Sequence, residues 1–312
     1  MKETTIAVDG FRVTNEMKEV WEVQLTLLKK LLSVCDSNHL MVWADGGTLL
    51  GAIRHKGYIP WDDDIDMVML RDDYDKLVKI SSREFQSPFF FQTAYSETTP
   101  YPRGHAQLRM DGTTAILPYD IDKDFHQGIF IDIFPYDAVP DDENTLRQLI
   151  QNRDYLYSRI DNYANKHTSF IHYIQYKKEK REKKEVNAIG FKNFFAQLED
   201  LLRTNKLTDN KTVSCLLFSS DLSKCRRDKE WYNKTLFVPF EDILIPVPIG
   251  YDQILTKNYG DYMTPVMAPS LHGTFTVLDP HKSYKEYLPL LRKQRKRMIW
   301  KERFQKLFKR LQ

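Results

Sequence analysis

Apolar residues recur with two different spacings along the first 140 residues, and these spacings predict a mixture of helices and strands. Apolar positions three and four residues apart predict a helix over 15–35. A short apolar run over 39–44 predicts a strand, and one or two helical turns follow over 48–54. The other elements predicted in this region are a helix over 72–81 and short strands over 65–70, 89–93, 105–109, 113–117 and 128–134.

Beyond Asp141 the pattern is mostly helical as far as about Leu207, and a β-hairpin is predicted over 236–247. Gly260 follows a predicted helix over 252–258 and is typical of a helix C-cap. We therefore expect a mixed α/β (α+β) fold with a helical C-terminal half. Its expected parts are an N-terminal helix (1–35), a catalytic core (36–140), a mostly helical region that completes the substrate site (141–291) and a tail helix (292–312).

The composition is that of a soluble globular protein, because 42% of the 312 residues are hydrophobic and 29% are charged. No stretch approaches the ~18 uninterrupted apolar residues of a membrane-spanning helix. The N-terminus lacks the apolar run of a signal peptide. Cys35, Cys215 and Cys225 form no CxxC pair, which argues against a disulfide framework or a zinc knuckle. These features predict a cytoplasmic protein.

Charge is distributed unevenly along the chain. The formal net charge is +3, but residues 292–312 contain ten Lys or Arg and one Glu, so this tail carries +9 and the rest of the chain −6. Neutralising nucleic-acid phosphates needs a basic face on the folded domain, so an acidic body argues against nucleic acid as the main partner.

The basic tail also has an apolar stripe at helical spacing. The stripe consists of Trp300, Phe304, Leu307, Phe308 and Leu311. Since Lys and Arg fill the other face, this helix suits the surface of an anionic membrane. We therefore expect peripheral attachment at the inner face of the cell membrane. The alternative is a helix that docks on the acidic body.

A glycine turn lies between a predicted strand and a predicted helix. Its residues are Gly46, Gly47 and Thr48. Small residues at this position allow a phosphate group to approach the backbone N–H groups of the helix N-terminus. These three residues are therefore candidates for phosphate binding, although a glycine pair alone is also typical of ordinary turns.

Four aspartates follow within positions 62–66. Such carboxylates repel one another unless a cation lies among them. Residues two apart in a strand share a face, so Asp64 and Asp66 are predicted to present oxygen donors that suit Mg²⁺. The alternative for the aspartates alone is a solvated turn that caps the next helix.

The whole string GGTLLGAIRHKGYIPWDDDID, residues 46–66, resembles the signature of the LicD family, within the nucleotidyltransferase superfamily. Fukutin-related ribitol-phosphate transferases share this motif. Further blocks that resemble the family are found at 108–114, 128–135, 239–248 and 259–263. The resemblance covers roughly residues 39–270.

The resemblance implies a nucleotidyltransferase-type mixed β-sheet with flanking helices. It also implies transfer of a phospho-alcohol that depends on Mg²⁺, with Mn²⁺ as a substitute. The first candidate is phosphocholine from CDP-choline, transferred to a hydroxyl of a cell-surface glycan such as lipopolysaccharide, teichoic acid or capsule, with release of CMP. A lipid-linked acceptor would agree with a tail that binds membranes.

One further aspartate and two arginines are candidate site residues. Asp132 lies in an apolar predicted strand, where an unpaired carboxylate is costly. The resemblance implies that it completes the metal site with Asp64 and Asp66, and it is also the candidate base for the attacking hydroxyl. Arg54 and Arg109 are candidates for contacts with phosphate oxygens, the alternative being structural ion pairs with the aspartates.

Aromatic faces can bind the quaternary ammonium of choline. Four aromatic residues lie near the motif in the sequence: Tyr58, Trp61, Tyr119 and Tyr136. Core packing is the alternative for each of them, and His55 and His105 are weaker candidates for the site. Two other functions remain open, namely a nucleotidyltransferase that transfers a nucleoside monophosphate and a non-catalytic nucleotide-binding protein.

Overall fold

The structure, a computed structural model, combines helices with a mixed β-sheet. It describes residues 5–6, 11–165, 173–217, 225–267 and 274–311. The helices of these residues are α1 (Asn15–Ser37), α2 (Gly46–Arg54), α3 (Arg71–Glu84), α4 (Glu143–Ala164), α5 (Tyr173–Ile189), α6 (Phe191–Leu202), α7 (Tyr251–Tyr259) and α8 (Tyr284–Leu311). A short 3-10 helix covers Lys229–Tyr232.

The strands are mostly short. They are β1 (Thr5–Ile6), β2 (Arg12–Val13), β3 (Trp43–Ala44), β4 (Asp66–Leu70), β5 (Phe89–Gln92), β6 (Ala106–Met110), β7 (Thr114–Ile116), β8 (Phe130–Val139), β9 (Thr212–Ser214), β10 (Arg227–Asp228), β11 (Thr235–Phe240), β12 (Ile243–Pro248) and β13 (Val277–Asp279). Strands β11 and β12 form a hairpin, and β7 pairs with β13.

Strand β8 organises the main sheet, because three other strands pair with it. It runs parallel to β4 and antiparallel to β6 and β9. Strand β3 extends the sheet beyond β4, β5 beyond β6, and β10 beyond β9. The start of β8 therefore lies between β4 and β6, and this position brings residues of three strands together.

Helix α1 covers the sheet with an apolar face, and its fully buried residues include Leu27, Leu28 and Leu31. The helix begins where Thr14 caps it, since the Thr14 hydroxyl accepts a bond from the Met17 N–H at 3.2 Å. A second apolar cluster forms between α4 and α6. Burial of these two cores fixes the position of the sheet, and with it the start of β8, where the candidate site lies.

The predicted α/β class is confirmed. The predicted helices over 15–35, 48–54 and 72–81 correspond to α1, α2 and α3. The strand predicted over 39–44 is limited to β3, while β8 continues to Val139, five residues beyond its predicted end. Gly260 ends α7 with φ = +66°, as expected for a C-cap glycine.

Helix α8 begins at Tyr284, before the predicted tail, and its first turns pack on the body of the protein. Tyr284 and Leu288 are buried against Ile116 and Ile121. Of the predicted apolar stripe, Trp300 is 65% exposed. The side chains of the other stripe residues lie outside the described part of the chain: Phe304, Leu307, Phe308 and Leu311. Every helix among the described residues is too short or too polar to cross a lipid bilayer.

Candidate active site

The glycine turn brings the start of α2 against the aspartates. Gly46 has φ = +52°, a conformation that favours glycine, and a Cβ atom added there would lie 3.0 Å from Oδ2 of Asp66. A Cβ atom added at Gly47 would lie 2.4 Å from Oδ2 of Asp62. The absence of both side chains therefore allows two carboxylates to approach the N-terminus of the helix.

Thr48 ties the helix to the strand that carries Asp66. Its hydroxyl accepts a hydrogen bond from the Asp66 N–H at 2.8 Å, and Thr48 is only 3% exposed. The Asp45 N–H donates in turn to the Asp66 carbonyl at 3.0 Å. The structure thus gives Thr48 a positioning role, whereas the sequence predicted a contact with phosphate.

Asp66 and Asp132 are direct neighbours in the parallel pair of β4 and β8. Asp64 lies just before β4, close enough for its charge to act on Asp66. Burial raises the pKa of Asp66 well above its usual value, and the charges of Asp64, Asp132, Asp45 and Asp62 raise it further. Asp66 therefore lies next to Asp132 and within reach of the charge of Asp64, whereas the carboxylates whose oxygens all lie within 4.8 Å of one another are Asp62, Asp63 and Asp64.

Among the described residues, two side chains contact the Asp132 carboxylate. Its Oδ1 atom contacts Nε2 of His105 at 2.9 Å and accepts a bond from Nε2 of Gln107 at 2.6 Å. Burial raises the pKa of Asp132, but the charge and hydrogen bond of His105, the bond of Gln107 and the charge of Arg103 outweigh it, so the pKa is lowered overall. Asp132 is therefore ionised at neutral pH.

Helix α1 holds the aspartate loop through two backbone carbonyls. The indole N–H of Trp21 donates to the Asp62 carbonyl at 3.1 Å, and Nε2 of Gln24 donates to the Asp63 carbonyl at 2.7 Å. With the loop held in this way, ligand oxygens of Asp62, Asp63 and Asp64 lie within 4.8 Å of one another. The loop is thus a fixed group of carboxylates beside the glycine turn.

Asp62, Asp64 and Asp66 line a cavity of about 390 Å³, which we call the acidic cleft. Its lining includes Gly47, Arg54, Trp61, Asp62, Asp64, Asp66, Tyr259 and Tyr262. Nη1 of Arg54 donates to the Tyr262 carbonyl at 2.8 Å, which links α2 to the segment after α7. Arg54 therefore lies at the wall of the cleft, where the sequence analysis expected a phosphate-binding residue.

Arg109 is placed differently from the expectation, because it is only 2% exposed. Its Nη1 atom donates to the Gly128 carbonyl at 2.6 Å, and its other nitrogens donate to the side chains of Gln92 and Gln107. The guanidinium also lies 4.6 Å from the centre of the Phe130 ring. Arg109 is not among the residues that line the acidic cleft, and its bond to Gln107 indicates that it orients that side chain.

Of the aromatic candidates, Tyr58 and Tyr136 are buried in the core. Tyr58 stacks on Trp21 with ring centres 4.4 Å apart, and the Tyr136 hydroxyl donates to Asp45 at 2.6 Å. Trp61 lines the acidic cleft, and Tyr119 lines a separate cavity. Tyr259 and Tyr262, from the block over 259–263 that resembles the LicD family, also line the acidic cleft.

The sequence analysis also missed the residues that fix the glycine turn. Asp45 is 8% exposed and accepts a bond from Nη1 of Arg227 at 2.7 Å. Arg227 donates as well to the Tyr232 hydroxyl at 2.9 Å. The position of Asp45 directly before the glycines was a usable signal. No local pattern could have indicated Arg227, which is 182 residues away in the chain.

A divalent cation fits this donor set. Asp64, Asp66 and Asp132 offer carboxylate oxygens, the ligand type that Mg²⁺ prefers. Burial is the main cause of the raised pKa of Asp66, and a cation would offset the second cause, the negative charge of the neighbouring carboxylates. The glycine at position 46 leaves space directly beside Oδ2 of Asp66.

The chain is similar to known proteins over much of its length. Residues 39–159 match the family model described as "LicD/FKTN/FKRP, nucleotidyltransferase domain". The chain is 29% identical over 251 residues to the lipopolysaccharide cholinephosphotransferase LicD of Haemophilus influenzae, a match that covers 79% of this chain and 91% of that protein. It is 28% identical over 138 residues to an uncharacterized protein of Rickettsia prowazekii, which covers 44% of this chain and 48% of that protein. This chain therefore carries a LicD family domain.

Proposed function

We propose that this protein is a transferase that moves phosphocholine from CDP-choline to a hydroxyl of a cell-surface glycan and releases CMP. The observation that carries the proposal is the pairing of Asp66 with Asp132 on adjacent parallel strands beside the Gly46 turn. The family of the domain and the cholinephosphotransferase name of the Haemophilus relative support phosphocholine as the transferred group. The same relative supports lipopolysaccharide as the acceptor.

Asp64, Asp66 and Asp132 would hold a Mg²⁺ ion, or Mn²⁺ in its place. When bound, the cation neutralises charge on the pyrophosphate of the donor. Arg54, at the wall of the acidic cleft, binds phosphate oxygens through its planar guanidinium. Gly47, at the start of α2, lines the same cleft, and the N-terminus of a helix favours an anionic group.

The transfer forms one bond and breaks one. The oxygen of an acceptor hydroxyl forms a bond with the phosphorus that carries choline, and the bond from this phosphorus to the oxygen of CMP breaks. The hydroxyl proton passes to Asp132, whose lowered pKa keeps it ionised and able to accept at neutral pH. His105 and Gln107 both bond to Oδ1 of Asp132, so Oδ2 is the oxygen that is available to the cation or to the hydroxyl proton.

The acidic cleft is also suited to the choline group. Trp61, Tyr259 and Tyr262 line it together with several aspartates. A quaternary ammonium makes no hydrogen bonds, and aromatic faces near negative charge bind it well. This combination favours choline over ribitol or glycerol, whose hydroxyls need hydrogen-bonding partners.

The test is a screen of CDP-choline, CDP-ribitol, CDP-glycerol and CDP-ethanolamine for CMP release with Mg²⁺, with Mn²⁺ and with a chelator. We expect CMP from CDP-choline, dependent on the metal. Asp66→Asn should reduce this release about a hundredfold or more, because it removes a charge from the centre of the site. Asp72→Asn, an exposed aspartate on α3, is the matched control and should retain activity.

Three results would contradict the proposal. Release of pyrophosphate from a nucleoside triphosphate, without CMP release from any donor, would indicate a nucleotidyltransferase. Binding of CDP-choline that is unaffected by metal and by Asp66→Asn would indicate a non-catalytic nucleotide-binding protein. Preference for CDP-ribitol or CDP-glycerol would correct the assignment of the alcohol.

We also propose that the end of α8 attaches the protein to an anionic membrane surface. Arg292 pairs with Asp124 at 2.8 Å and Arg295 with Asp122 at 3.2 Å, so this part of the helix docks on the body. Residues 296–301 are exposed and combine Lys and Arg with Met298, Ile299 and Trp300. This combination supports membrane contact for the second part of the helix. Such contact would bring the site close to a lipid-linked acceptor.

A further inference from the structure

A second cavity, of about 570 Å³, lies beside the catalytic carboxylates. It is defined here by Tyr101, Arg103, Tyr119, Asp120, Tyr157 and Asp161, which are among its lining residues. None of them belongs to the acidic cleft. Its volume lies in the range of typical small-molecule sites, roughly 300–1,000 Å³.

One row of residues across the sheet connects the acidic cleft to the second cavity. Asp66, Asp132 and Gln107 are register partners on β4, β8 and β6. Asp66 lines the acidic cleft at one end of this line. At the other end, Oε1 of Gln107 accepts bonds from the Tyr101 hydroxyl at 2.6 Å and from Arg103 at 3.1 Å. Asp132 therefore lies between the two cavities.

Hydrogen bonds connect the second cavity to Asp132, because Gln107 accepts from Tyr101 and Arg103 and donates from Nε2 to Oδ1 of Asp132 at 2.6 Å. The charge of Arg103 lowers the pKa of Asp132, although burial acts on that pKa in the opposite direction. Burial raises the pKa of Tyr119, and the charge of Asp132 contributes in the same direction. A group bound in the second cavity is thus near the carboxylate that faces the reaction.

The charges of the second cavity balance. Three acidic and three basic side chains line it. Arg103 pairs with Asp120 at 2.7 Å, and Arg295 pairs with Asp122 at 3.2 Å. The cavity has no excess negative charge for a choline cation and no excess positive charge for a phosphate. It does offer many donors and acceptors, which suit a neutral ligand with several hydroxyl groups.

Aromatic surface in the cavity is partly open. The rings of Tyr101 and Phe125 face the guanidinium of Arg103, at 5.5 and 5.7 Å. Tyr119, in contrast, is 56% exposed, and Tyr157 is half-buried. An open tyrosine ring beside paired charges combines an apolar face with polar partners. A pyranose ring has the same two properties, since its C–H face is apolar and its edge carries hydroxyls.

We infer that the second cavity binds the sugar unit of the acceptor glycan that presents the attacking hydroxyl. Tyr119 contacts the C–H face of the sugar, and the charged residues of the cavity bind its hydroxyls. The donor then occupies the acidic cleft, and the two substrates meet at Asp132. This inference rests on the proposed transferase function, but it concerns a different cavity and different residues.

The experiment uses the full chain with three methyl glycosides as probes, those of glucose, galactose and N-acetylgalactosamine. Saturation-transfer NMR measures their binding without turnover, and the apparent KM for the glycoside is measured with CDP-choline as donor. We expect at least one glycoside to bind. Tyr119→Ala should raise its Kd and KM about tenfold, because the ring surface is lost, while Tyr119→Phe should change them about twofold or less.

Tyr155→Ala is the matched control, since Tyr155 is 52% exposed on α4 and does not line the second cavity. It should bind the glycosides as the wild type does. The inference is overturned if no glycoside binds the wild type, or if Tyr119→Ala binds as tightly as Tyr155→Ala. Failure of the proposed function has a different signature, namely glycoside binding that depends on Tyr119 without CMP release from CDP-choline.

Discussion

Two neighbouring carboxylates, Asp66 and Asp132, have opposite electrostatic environments. Asp132 receives hydrogen bonds from Gln107 and His105, whereas Asp66 is surrounded by other carboxylates. The pKa of Asp132 is lowered, and that of Asp66 is raised. Asp132 is therefore ionised through its protein partners, whereas Asp66 would gain its counter-charge from a bound cation.

His126 provides a test of the structure at the scale of a single residue. Nδ1 of His126 accepts the Gly128 N–H at 3.1 Å, and its Nε2 atom contacts Asp111 at 3.0 Å. The neutral ring with its proton on Nε2 satisfies both contacts, whereas a second proton on Nδ1 would oppose the Gly128 N–H. Burial, followed by the charge of Arg109, lowers the pKa of His126 from 6.5 to about 4.

We therefore predict that the contribution of His126 to stability falls as pH decreases below 6.5. The unfolded chain takes up the His126 proton near pH 6.5 and the folded protein only near pH 4, so protons favour unfolding between these values. At pH 5 the loss should be about 2 kcal/mol relative to pH 7.5. Denaturant titrations at both pH values measure the difference in the free energy of unfolding.

His126→Gln should reduce this difference, although it lowers stability at both pH values. His39→Asn, at an exposed position with φ = 54° that Asn tolerates, should keep the wild-type difference. An unchanged pH dependence in His126→Gln would show that the ring is not buried as described.

At the scale of elements, helix α1 acts as a support for the aspartate loop. Gln24 is 3% exposed and reaches from the helix to the Asp63 carbonyl at 2.7 Å. Trp21 makes the equivalent bond to the Asp62 carbonyl and stacks on Tyr58. A helix far from the reaction can therefore determine where the carboxylates are held.

Gln24→Leu should weaken metal binding, although Gln24 is not one of the predicted metal ligands. The substitution keeps the size of the side chain but removes the donor, so the loop is held less firmly. Loss of this hydrogen bond should lower the stability of the protein by about 1 kcal/mol. Isothermal titration with Mn²⁺ should give a Kd about tenfold higher than that of the wild type. The exposed neighbour Glu22→Ala serves as the control. Equal Mn²⁺ affinity in Gln24→Leu and Glu22→Ala would exclude this supporting role.

At the scale of the whole molecule, charge separates the body from the tail. The chain before residue 292 has a net charge of −6, and residues 292–312 carry +9. The two alternatives predicted for the tail apply to different parts of α8. Arg292 and Arg295 dock on aspartates of the body, while residues 296–301 are exposed.

The exposed part of α8 should bind vesicles that contain anionic lipid. We expect the wild type to sediment with vesicles of phosphatidylglycerol and phosphatidylcholine, but not with phosphatidylcholine alone. The combined variant Arg297→Glu, Trp300→Ser and Lys301→Glu should lose at least tenfold in affinity, because each basic residue contributes about 1 kcal/mol.

Lys180→Glu with Lys184→Glu makes the same change in charge on exposed positions of α5 and is the control for this variant. If both variants lose binding equally, the attraction depends on net charge. If neither loses binding, the tail is not the membrane contact.

The sequence predicted some residues of the site and not others. The glycine turn, the aspartates and the helices around them follow from spacing within about twenty residues, and all were predicted. Asp132 was predicted to be a site residue because it is a carboxylate in an otherwise apolar strand. The burial of Arg109 was not predicted, because its partners Gln92 and Gly128 come from two other segments of the chain.

The sequence by itself determined which chemical groups this protein has and which local elements carry them, since periodicity and turn residues act over short distances. Only the tertiary structure decided which groups become neighbours. Strand pairing aligned Asp66, Asp132 and Gln107, and an ion pair across 182 residues joined Asp45 to Arg227. Lateral pairing and burial depend on the packing of distant segments, and no local pattern encodes them.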